Sequence, residues 1–255
     1  MPLISRPRPE PLYVALEFAQ FPAQVLAAGK RPLRGKAFAV VRQSGDSHKA
    51  AVYAVSAAAR ELGVDPGMPV FVLRRKFGGK VQVVGRDEGM EDRVVRRLQE
   101  LCESWTPDFE VGRWGTCLLD LAGSPLQRQM AWEAVADLVR ARMQDGTGLS
   151  EVAVGASASP LVARALARGA RPRGVEVCPP GEEMEALAEL ELEALPGLHG
   201  GARDRLRRYG IESVEQVRQL ERPALVKRLG RADGEGVYGL VRGWSCGGAA
   251  GSATR

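Results

Sequence analysis

Short apolar runs alternate with amphipathic segments along the first two thirds of the chain. A short apolar run bounded by polar or glycine-rich residues is typical of a buried strand, and apolar residues three and four positions apart are typical of a helix. These patterns predict strands at residues 12–17, 37–41, 80–84, 116–121 and 151–155, and helices at residues 50–62, 90–104, 125–143 and 160–168. Strands and helices that alternate in this way predict a mixed α+β fold.

The pattern changes after Pro179, where no further strand is predicted and glycine and proline break the helical segments into short pieces. This change predicts a separate, small all-helical domain, with a boundary near residues 172–180. The composition differs again at the two ends: residues 1–11 contain four prolines, and residues 244–255 are mostly Gly, Ala and Ser. We therefore expect a disordered lead-in and a flexible tail.

Composition and charge exclude some classes of protein. The chain has 255 residues, and 36 Lys and Arg against 31 Asp and Glu give a net charge of +5, which is compatible with a polyanionic partner. The 4 cysteines are far apart and form no zinc-binding pair, so we expect free thiols in a reducing cytoplasm. The sequence has no apolar run long enough to cross a membrane, so no membrane partner is expected.

A glycine-rich turn followed by several arginines distinguishes the helical part of the chain, and residues 195–211 resemble a helix–hairpin–helix. Glycines let backbone amides at a helix start approach a phosphate closely, and arginines add positive charge. Residues 199–243 carry 10 Lys or Arg and 6 Asp or Glu. The motif predicts contacts to the DNA backbone by Gly197, Gly200, Gly201, Arg203, Arg205, Arg207 and Arg208. A plain helix pair with a solvated arginine face is the alternative.

Three further segments resemble, in order, the motifs of one family. Ser56-Ala-Ala-Ala-Arg-Glu-Leu-Gly-Val-Asp-Pro-Gly-Met-Pro69 is similar to the fingers motif of Y-family DNA polymerases. Trp114-Gly-Thr-Cys-Leu-Leu-Asp-Leu-Ala-Gly123 is similar to the palm motif of the same family. Residues 155–167 and 171–174 resemble a later palm segment, and residues 228–230 and 237–243 resemble the end of the thumb.

This resemblance covers residues 12–243 and includes the UmuC-type domain of the family. It implies a palm with a mixed sheet and packed helices, small fingers, and an all-helical thumb that contains the helix–hairpin–helix. The implied boundaries are residues 12–17 and 76–172 for the palm, 18–75 for the fingers and 175–243 for the thumb.

The acidic residues that the family uses for nucleotidyl transfer are missing at the matching positions. Two Mg²⁺ ions stabilise the attacking and leaving oxygens in such enzymes, and Mg²⁺ prefers carboxylate ligands. The family's first-strand Asp matches Ala15, and its Asp-Glu pair matches Gly115 and Thr116. Glu17 is the nearby carboxylate on the first strand, and Asp120 matches a later family Asp for which we expect structural hydrogen bonding. We therefore predict no catalytic residue, no metal site and no cofactor.

Part of the family's nucleotide-binding set is retained. Ala57 replaces the fingers Tyr that contacts the triphosphate, whereas Arg60 matches the fingers Arg and Arg171 matches the palm Lys. A guanidinium binds phosphate well, so Arg60 and Arg171 are candidate nucleotide ligands. Arg60 also lies at a predicted helix end, where any cation is favoured by the helix dipole.

Loss of these acids within an intact scaffold resembles the ImuB group, catalytically inactive relatives of Y-family polymerases that act in SOS mutagenesis. The resemblance implies a non-catalytic accessory or scaffold in translesion synthesis with weak DNA binding. Its implied protein partners are an error-prone replicative-type polymerase and a RecA-like mutagenesis protein. Three alternatives stay open. The first is a weakly active polymerase that uses Glu17 and a further, unrecognised carboxylate. The second is a helix–hairpin–helix DNA-binding adaptor whose α/β half is unrelated to polymerases, and the third is a protein–protein adaptor without DNA affinity.

The end of the sequence differs from the full family pattern. No segment after residue 243 resembles the little-finger domain, so we expect that domain to be absent. No clamp-binding motif of Gln, a spaced Leu and paired aromatic residues is present, so the sequence does not favour binding to a sliding clamp.

Overall fold

The structure is a computed structural model, and it describes residues 10–42 and 50–242. Most of the predicted lead-in and the whole predicted tail lie outside the described residues. These residues contain eight strands: β1 (Tyr13–Phe18), β2 (Phe38–Val41), β3 (Ala54–Val55), β4 (Gln82–Gly85), β5 (Phe109–Gly112), β6 (Thr116–Asp120), β7 (Val152–Ser157) and β8 (Val175–Val177).

Twelve α-helices are found among the described residues, together with 3₁₀ turns at Arg31–Leu33 and Gly78–Lys80. They are α1 (Phe21–Gly29), α2 (Ala57–Glu61), α3 (Val70–Phe77), α4 (Glu88–Glu103), α5 (Pro125–Gln129), α6 (Trp132–Thr147), α7 (Pro160–Gly169), α8 (Glu183–Ala188), α9 (Gly200–Arg208), α10 (Val214–Arg218), α11 (Arg222–Leu229) and α12 (Arg231–Leu240). The described chain is therefore mixed α+β, as the sequence predicts.

The strands form two sheets. The larger sheet has the order β5-β6-β1-β7-β8, and the smaller one has the order β3-β2-β4. In the larger sheet β7 and β8 are parallel, with Val154 opposite Val175. In the smaller sheet β2 pairs with β4 in parallel and with β3 in antiparallel orientation. All four residues of β2 are buried, as expected for a central strand that is covered on both faces.

The helix predicted at residues 50–62 is wrong over its first half. Residues Ala54–Val55 form β3, and α2 begins only at Ala57. Ser56 ends the extended segment, because its hydroxyl accepts a hydrogen bond from the Ala59 amide and caps the helix. Alanine content favoured a helix here, but pairing with β2 decides the conformation.

The single helix predicted at residues 125–143 is two helices, α5 and α6. Met130 has an extended backbone with φ of −133° and ψ of 149°, which separates them. The apolar pattern did not predict α1, α3, β5 or β8. The strands β5 and β8 are short and partly exposed, so they lack the continuous apolar run that marks a buried strand.

The chain divides into two compact units. The first comprises Met1–Leu16, Leu118–Leu138 and Ala153–Arg255, and the second comprises Glu17–Cys117 and Val139–Val152. The main apolar cluster of the first unit joins α7 to α8–α12 through buried residues that include Leu161, Leu187 and Leu225. The palm, fingers and thumb boundaries given above stay predictions.

Close packing inside the first unit depends on two glycines. A Cβ at Gly155 of β7 would lie 2.1 Å from the Ala163 carbonyl oxygen of α7. A Cβ at Gly234 of α12 would lie 2.6 Å from the Val226 Cα atom of α11. Both neighbours are backbone atoms, which cannot move aside as the end of a flexible side chain can. The two glycines therefore permit the close approach of these elements.

The second unit has two smaller apolar clusters on either side of the β3-β2-β4 sheet. One contains Ala39, Val55 and Leu73, and the other contains Leu26, Phe38 and Val40. Residues 38, 39 and 40 alternate between the two clusters, as the two-residue period of a strand requires. Within the described residues, each helix is too short or too polar to span a lipid bilayer.

Candidate functional site

Gly115 occupies the turn between β5 and β6. Its φ of +68° lies in the left-handed region that favours glycine. The Phe18 amide donates a hydrogen bond of 2.9 Å to the Gly115 carbonyl oxygen, which fixes the turn against the end of β1. A Cβ at position 115 would lie 2.4 Å from Cδ2 of Phe21 and 3.0 Å from Cβ of Phe18. The space that an acidic side chain needs at this position is therefore filled by an aromatic ring.

The neighbouring positions supply few metal ligands. Thr116 is partly exposed and carries a neutral hydroxyl, and Glu17 is the acidic residue of β1. Ala15, in the other unit, is buried in an apolar cluster with Leu118 and Ala163. Among residues 10–42 and 50–242, no group of three or more His, Cys, Asp or Glu side chains is arranged to hold a metal ion.

Asp120 has the structural role that the sequence predicts. Its Oδ1 atom accepts a hydrogen bond of 2.9 Å from the Ala122 amide, just after β6 ends. Burial raises the pKa of the Tyr13 phenol, and the negative charge of Asp120 raises it further. The hydrogen bonds of Asp120 with the Ala122 amide and with the Tyr13 side chain both lie within the first unit, and they stabilise the end of β6.

Arg60 is held by a buried carboxylate of its own unit. Its two terminal nitrogens contact the two carboxylate oxygens of Glu151, one of them at 3.2 Å. Glu151 is 3% exposed, whereas 37% of the Arg60 side chain remains accessible. The hydrogen bonds to Glu151 raise the pKa of Arg60. Arg60 thus has a structural partner, and its assignment as a nucleotide ligand stays a prediction.

Arg171 lies in the other unit, in the loop between α7 and β8. Its Nε atom donates a hydrogen bond of 2.9 Å to the Arg168 carbonyl oxygen at the end of α7. The residue is exposed, and the loop places its cation close to the helix C-terminus, where positive charge is favourable. Binding of nucleotide by Arg171 stays a prediction.

The arginines of α9 contact acidic residues of the same unit. Glu193 contacts Arg203, at 3.7 Å, and also Arg207. Asp233 of α12 contacts Arg205 and accepts a hydrogen bond of 2.9 Å from His199 Nε2. Because these guanidinium groups already have carboxylate partners, a DNA phosphate would have to compete for them.

The predicted hairpin glycines lie at the start of α9. Gly197 has a φ of +82°, and Gly200 and Gly201 are the first two residues of the helix. His199 is the N-cap residue, with a φ of −72° in the extended region. Its Nδ1 atom accepts a hydrogen bond of 3.2 Å from the Ala202 amide. Arg208 points back along the helix and donates a bond of 3.4 Å to the Asp204 carbonyl oxygen.

The second unit carries an aromatic and cationic cluster that the sequence did not predict. We call it the Trp114 platform; it consists of Arg42, Tyr53, Arg86 and Trp114. The Trp114 and Tyr53 rings lie 5.8 Å apart, and the Arg86 guanidinium carbon lies 4.8 Å from the Trp114 ring centre. These residues come from four separate parts of the chain, so no local pattern could reveal them.

The model of the impB/mucB/samB family matches residues 16–168, which is more than half of the chain. The chain belongs to this family.

Several proteins with curated names are similar to this chain over most of its length. DNA polymerase IV of Streptomyces coelicolor is 31% identical over 238 residues, which cover 92% of this chain and 48% of that protein. DNA polymerase IV of Desulfatibacillum aliphaticivorans is 26% identical, covering 92% of this chain and 57% of that protein. The chain thus spans about half the length of these relatives.

Solved structures of the family show the same fold. DinB from Sulfolobus solfataricus superposes with a TM-score of 0.76 at 23% identity, covering 91% of this chain and 67% of that one. An insertion ternary complex of Dbh DNA polymerase gives a TM-score of 0.76 at 22% identity, covering 92% of this chain and 68% of that one. These matches confirm the predicted Y-family polymerase fold with its mixed palm and fingers architecture.

The family membership corrects one prediction. The expectation that no cofactor is involved, and that Mg²⁺ in particular has no role, is wrong, because the relatives are DNA polymerases and polymerases transfer phosphoryl groups with two metal ions. Tested against that requirement, the described residues do not fit a two-ion site. Position 115 has no side chain, position 116 has a hydroxyl, and Ala15 of β1 has no ligand atom, so the acidic residue of β1 is Glu17.

Proposed function

We propose that this member of the family acts in DNA damage tolerance as an accessory of translesion synthesis, and that it binds DNA without joining nucleotides itself. The observation that carries the proposal is the packing at Gly115. A carboxylate at that position would overlap the Phe21 ring, which is itself only 2% exposed. Where the family has an acidic side chain, this chain has a glycine, and the Phe21 ring fills the space beside it. Catalysis requires an open pocket at this position, and the packing leaves none there.

Weak, sequence-independent DNA binding by the α9 region is the second part of the proposal. Its support is the glycine-rich start of α9 and the arginines at positions 203, 205, 207 and 208. Contacts to Glu193 and Asp233 reduce the charge that reaches solvent, so we propose modest affinity and a clear dependence on salt. The ternary and binary complexes of the similar Dbh polymerase are consistent with this role.

The protein partners follow from the ImuB-like character that we propose for the chain. A protein that positions DNA without extending it needs a separate polymerase to complete synthesis past a lesion. We therefore propose association with an error-prone replicative-type polymerase and with a RecA-like protein. Affinity capture from DNA-damaged cells tests this association, and recovery of neither class of protein would count against it.

A primer-extension assay tests the catalytic part of the proposal. The chain is incubated with primer–template DNA and all four nucleotides in Mg²⁺ or Mn²⁺, beside an active Y-family polymerase. We expect no extension at any metal concentration. Extension that disappears in Glu17→Gln would overturn the proposal and favour a weakly active polymerase, the alternative supported by the names of the relatives and by the position of Glu17.

A binding assay tests the DNA part. We expect Arg203→Gln and Arg207→Gln each to weaken duplex binding and to lower the slope of log K against log salt by about one. Arg222→Gln is the matched control, since it removes the same charge from a residue that pairs with Glu235 on the neighbouring helix. Equal effects of all three variants would show that α9 contributes to DNA binding only through the net charge of the protein.

A further inference from the structure

The indole of Trp114 is the best exposed large aromatic surface of the second unit. It lies in the turn between β5 and β6 and is 50% exposed. Burial of apolar ring surface is favourable. A flat ligand that covers the exposed half of the indole would therefore gain from the contact.

The surroundings of Trp114 hold it in place. The Arg86 guanidinium carbon lies 4.8 Å from the Trp114 ring centre and 5.5 Å from the Tyr53 ring centre, within the range of a cation–π contact. Arg86 is itself fixed by Glu91, which is 3% exposed and accepts bonds of 2.8 and 2.7 Å from it. The ion pair between Arg86 and the buried Glu91 thus fixes the guanidinium that contacts both rings.

Positive charge reaches solvent beside this supported ring. Arg42 is exposed, and its guanidinium carbon lies 5.7 Å from the Tyr53 ring centre. Arg113, the residue before Trp114, is also exposed. A half-exposed indole, with exposed arginines at the neighbouring Tyr53 and at the preceding residue, suits a ligand that has both a flat ring and an anionic group. Unpaired nucleotides of single-stranded DNA have both.

We propose that the Trp114 platform binds single-stranded DNA by stacking an unpaired base on the indole, with the exposed arginines facing the phosphates. This activity goes beyond backbone binding by α9, because it depends on bases and lies in the other unit. It also requires no phosphoryl transfer, so it does not depend on whether the chain extends primers. Stacking accepts any base, and no sequence preference is expected.

A pair of probes separates stacking from phosphate contact. One is a dT oligonucleotide of about twelve nucleotides, and the other is an abasic oligomer with the same number of phosphates. We expect Trp114→Ala to weaken binding of the dT probe about tenfold and to leave binding of the abasic probe unchanged. Trp114→Phe, which keeps a ring, should retain most of the affinity for the dT probe.

Two controls complete the test. Phe71→Ala removes another exposed aromatic of the same unit, 46% accessible, and should change neither probe. Trp fluorescence gives an independent measurement: the dT probe should quench the wild-type emission, and Trp114→Phe should lose that part of the quenching. Equal binding of dT by wild type and Trp114→Ala, or equal losses on both probes, would overturn the proposal. Arg203→Gln, by contrast, should weaken both probes and leave the quenching at saturation intact.

Discussion

The ring of Phe21 lies 2.4 Å from the point where a Cβ atom at position 115 would stand, so Phe21 and Gly115 are complementary in shape. Gly115 also has a φ of +68°, which a residue with a side chain adopts only with strain. Two independent reasons therefore keep glycine at this position.

Gly115→Ala should lower the free energy of unfolding by about 2–4 kcal/mol, from backbone strain and from overlap with the ring. Phe21→Ala removes the overlap, so the double variant should lose less than the two single variants together. Urea unfolding of the four proteins measures this coupling. Strictly additive losses would show that the ring moves aside without cost.

Helix α12 contains two glycines that form a matched pair for a second prediction. In α12, a Cβ at Gly234 would meet the backbone of Val226, whereas a Cβ at Gly236 would meet nothing within 4 Å. Gly234→Ala should destabilise the protein by about 1–3 kcal/mol through overpacking. Gly236→Ala should stabilise it by up to about 1 kcal/mol, because alanine favours a helix. Thermal unfolding of both variants compares the two effects; a shift of the same sign in both would contradict the packing described for α11 and α12.

The N-cap of α4 gives a prediction that depends on pH. The Met90 amide donates a hydrogen bond of 3.1 Å to Asp87, which lowers the pKa of that carboxyl, and Lys30 at 3.2 Å lowers it further. A lowered pKa means that the charged carboxylate stabilises the folded state above its ordinary pKa and that this stability is lost as the pH falls through the folded value.

Asp87→Ala should therefore cost about 1 kcal/mol at pH 7, and the difference from wild type should shrink as the pH falls below about 4. Asp87→Asn is the control, since it keeps a capping oxygen without the charge. Denaturant unfolding across this pH range measures both. A difference that stays constant with pH would assign the whole effect to the neutral cap.

The pair of Arg60 and Glu151 gives a fourth prediction. Arg60→Met leaves the buried Glu151 carboxylate without its cation and should destabilise the fold by about 1–3 kcal/mol, less than for a fully buried pair because Arg60 is partly exposed. Replacing both residues by Met should recover much of the loss, since an apolar pair has no charge to desolvate. Urea unfolding of the single and double variants measures the recovery. A double variant as unstable as Arg60→Met would contradict it.

The sequence predicted the elements that are marked by a local pattern of residues, and it missed an element whose conformation depends on residues far along the chain. The strands β1, β2, β6 and β7 were predicted to within two residues, because each is an apolar run with polar or glycine boundaries. By contrast, β3 was predicted as helix, since its conformation comes from pairing with β2, where Val40 lies opposite Ala54, 14 positions further along the chain. A signal for α1 was present and missed: Pro22 stands in the first turn, where proline favours a helix start.

In the candidate site, too, features of local motifs were predicted and contacts between distant residues were not. The absence of acids at Gly115 and Thr116 was visible because family motifs keep their order along the chain. The Phe21 ring that fills the space at position 115 was not visible, because nothing in a local pattern links two residues so far apart. The same reason hid the Trp114 platform and the contacts of Glu193 and Asp233 with the α9 arginines.

The small sheet has a consequence for how this protein behaves at high concentration. Its central strand, β2, is paired on both sides, and its outer strands β3 and β4 have two and four residues. A free strand edge is a template on which another chain can add its own backbone, and short edges offer few such hydrogen bonds. The three-stranded order thus limits edge-to-edge aggregation through this sheet, and it prevents the apolar β2 from pairing with another chain.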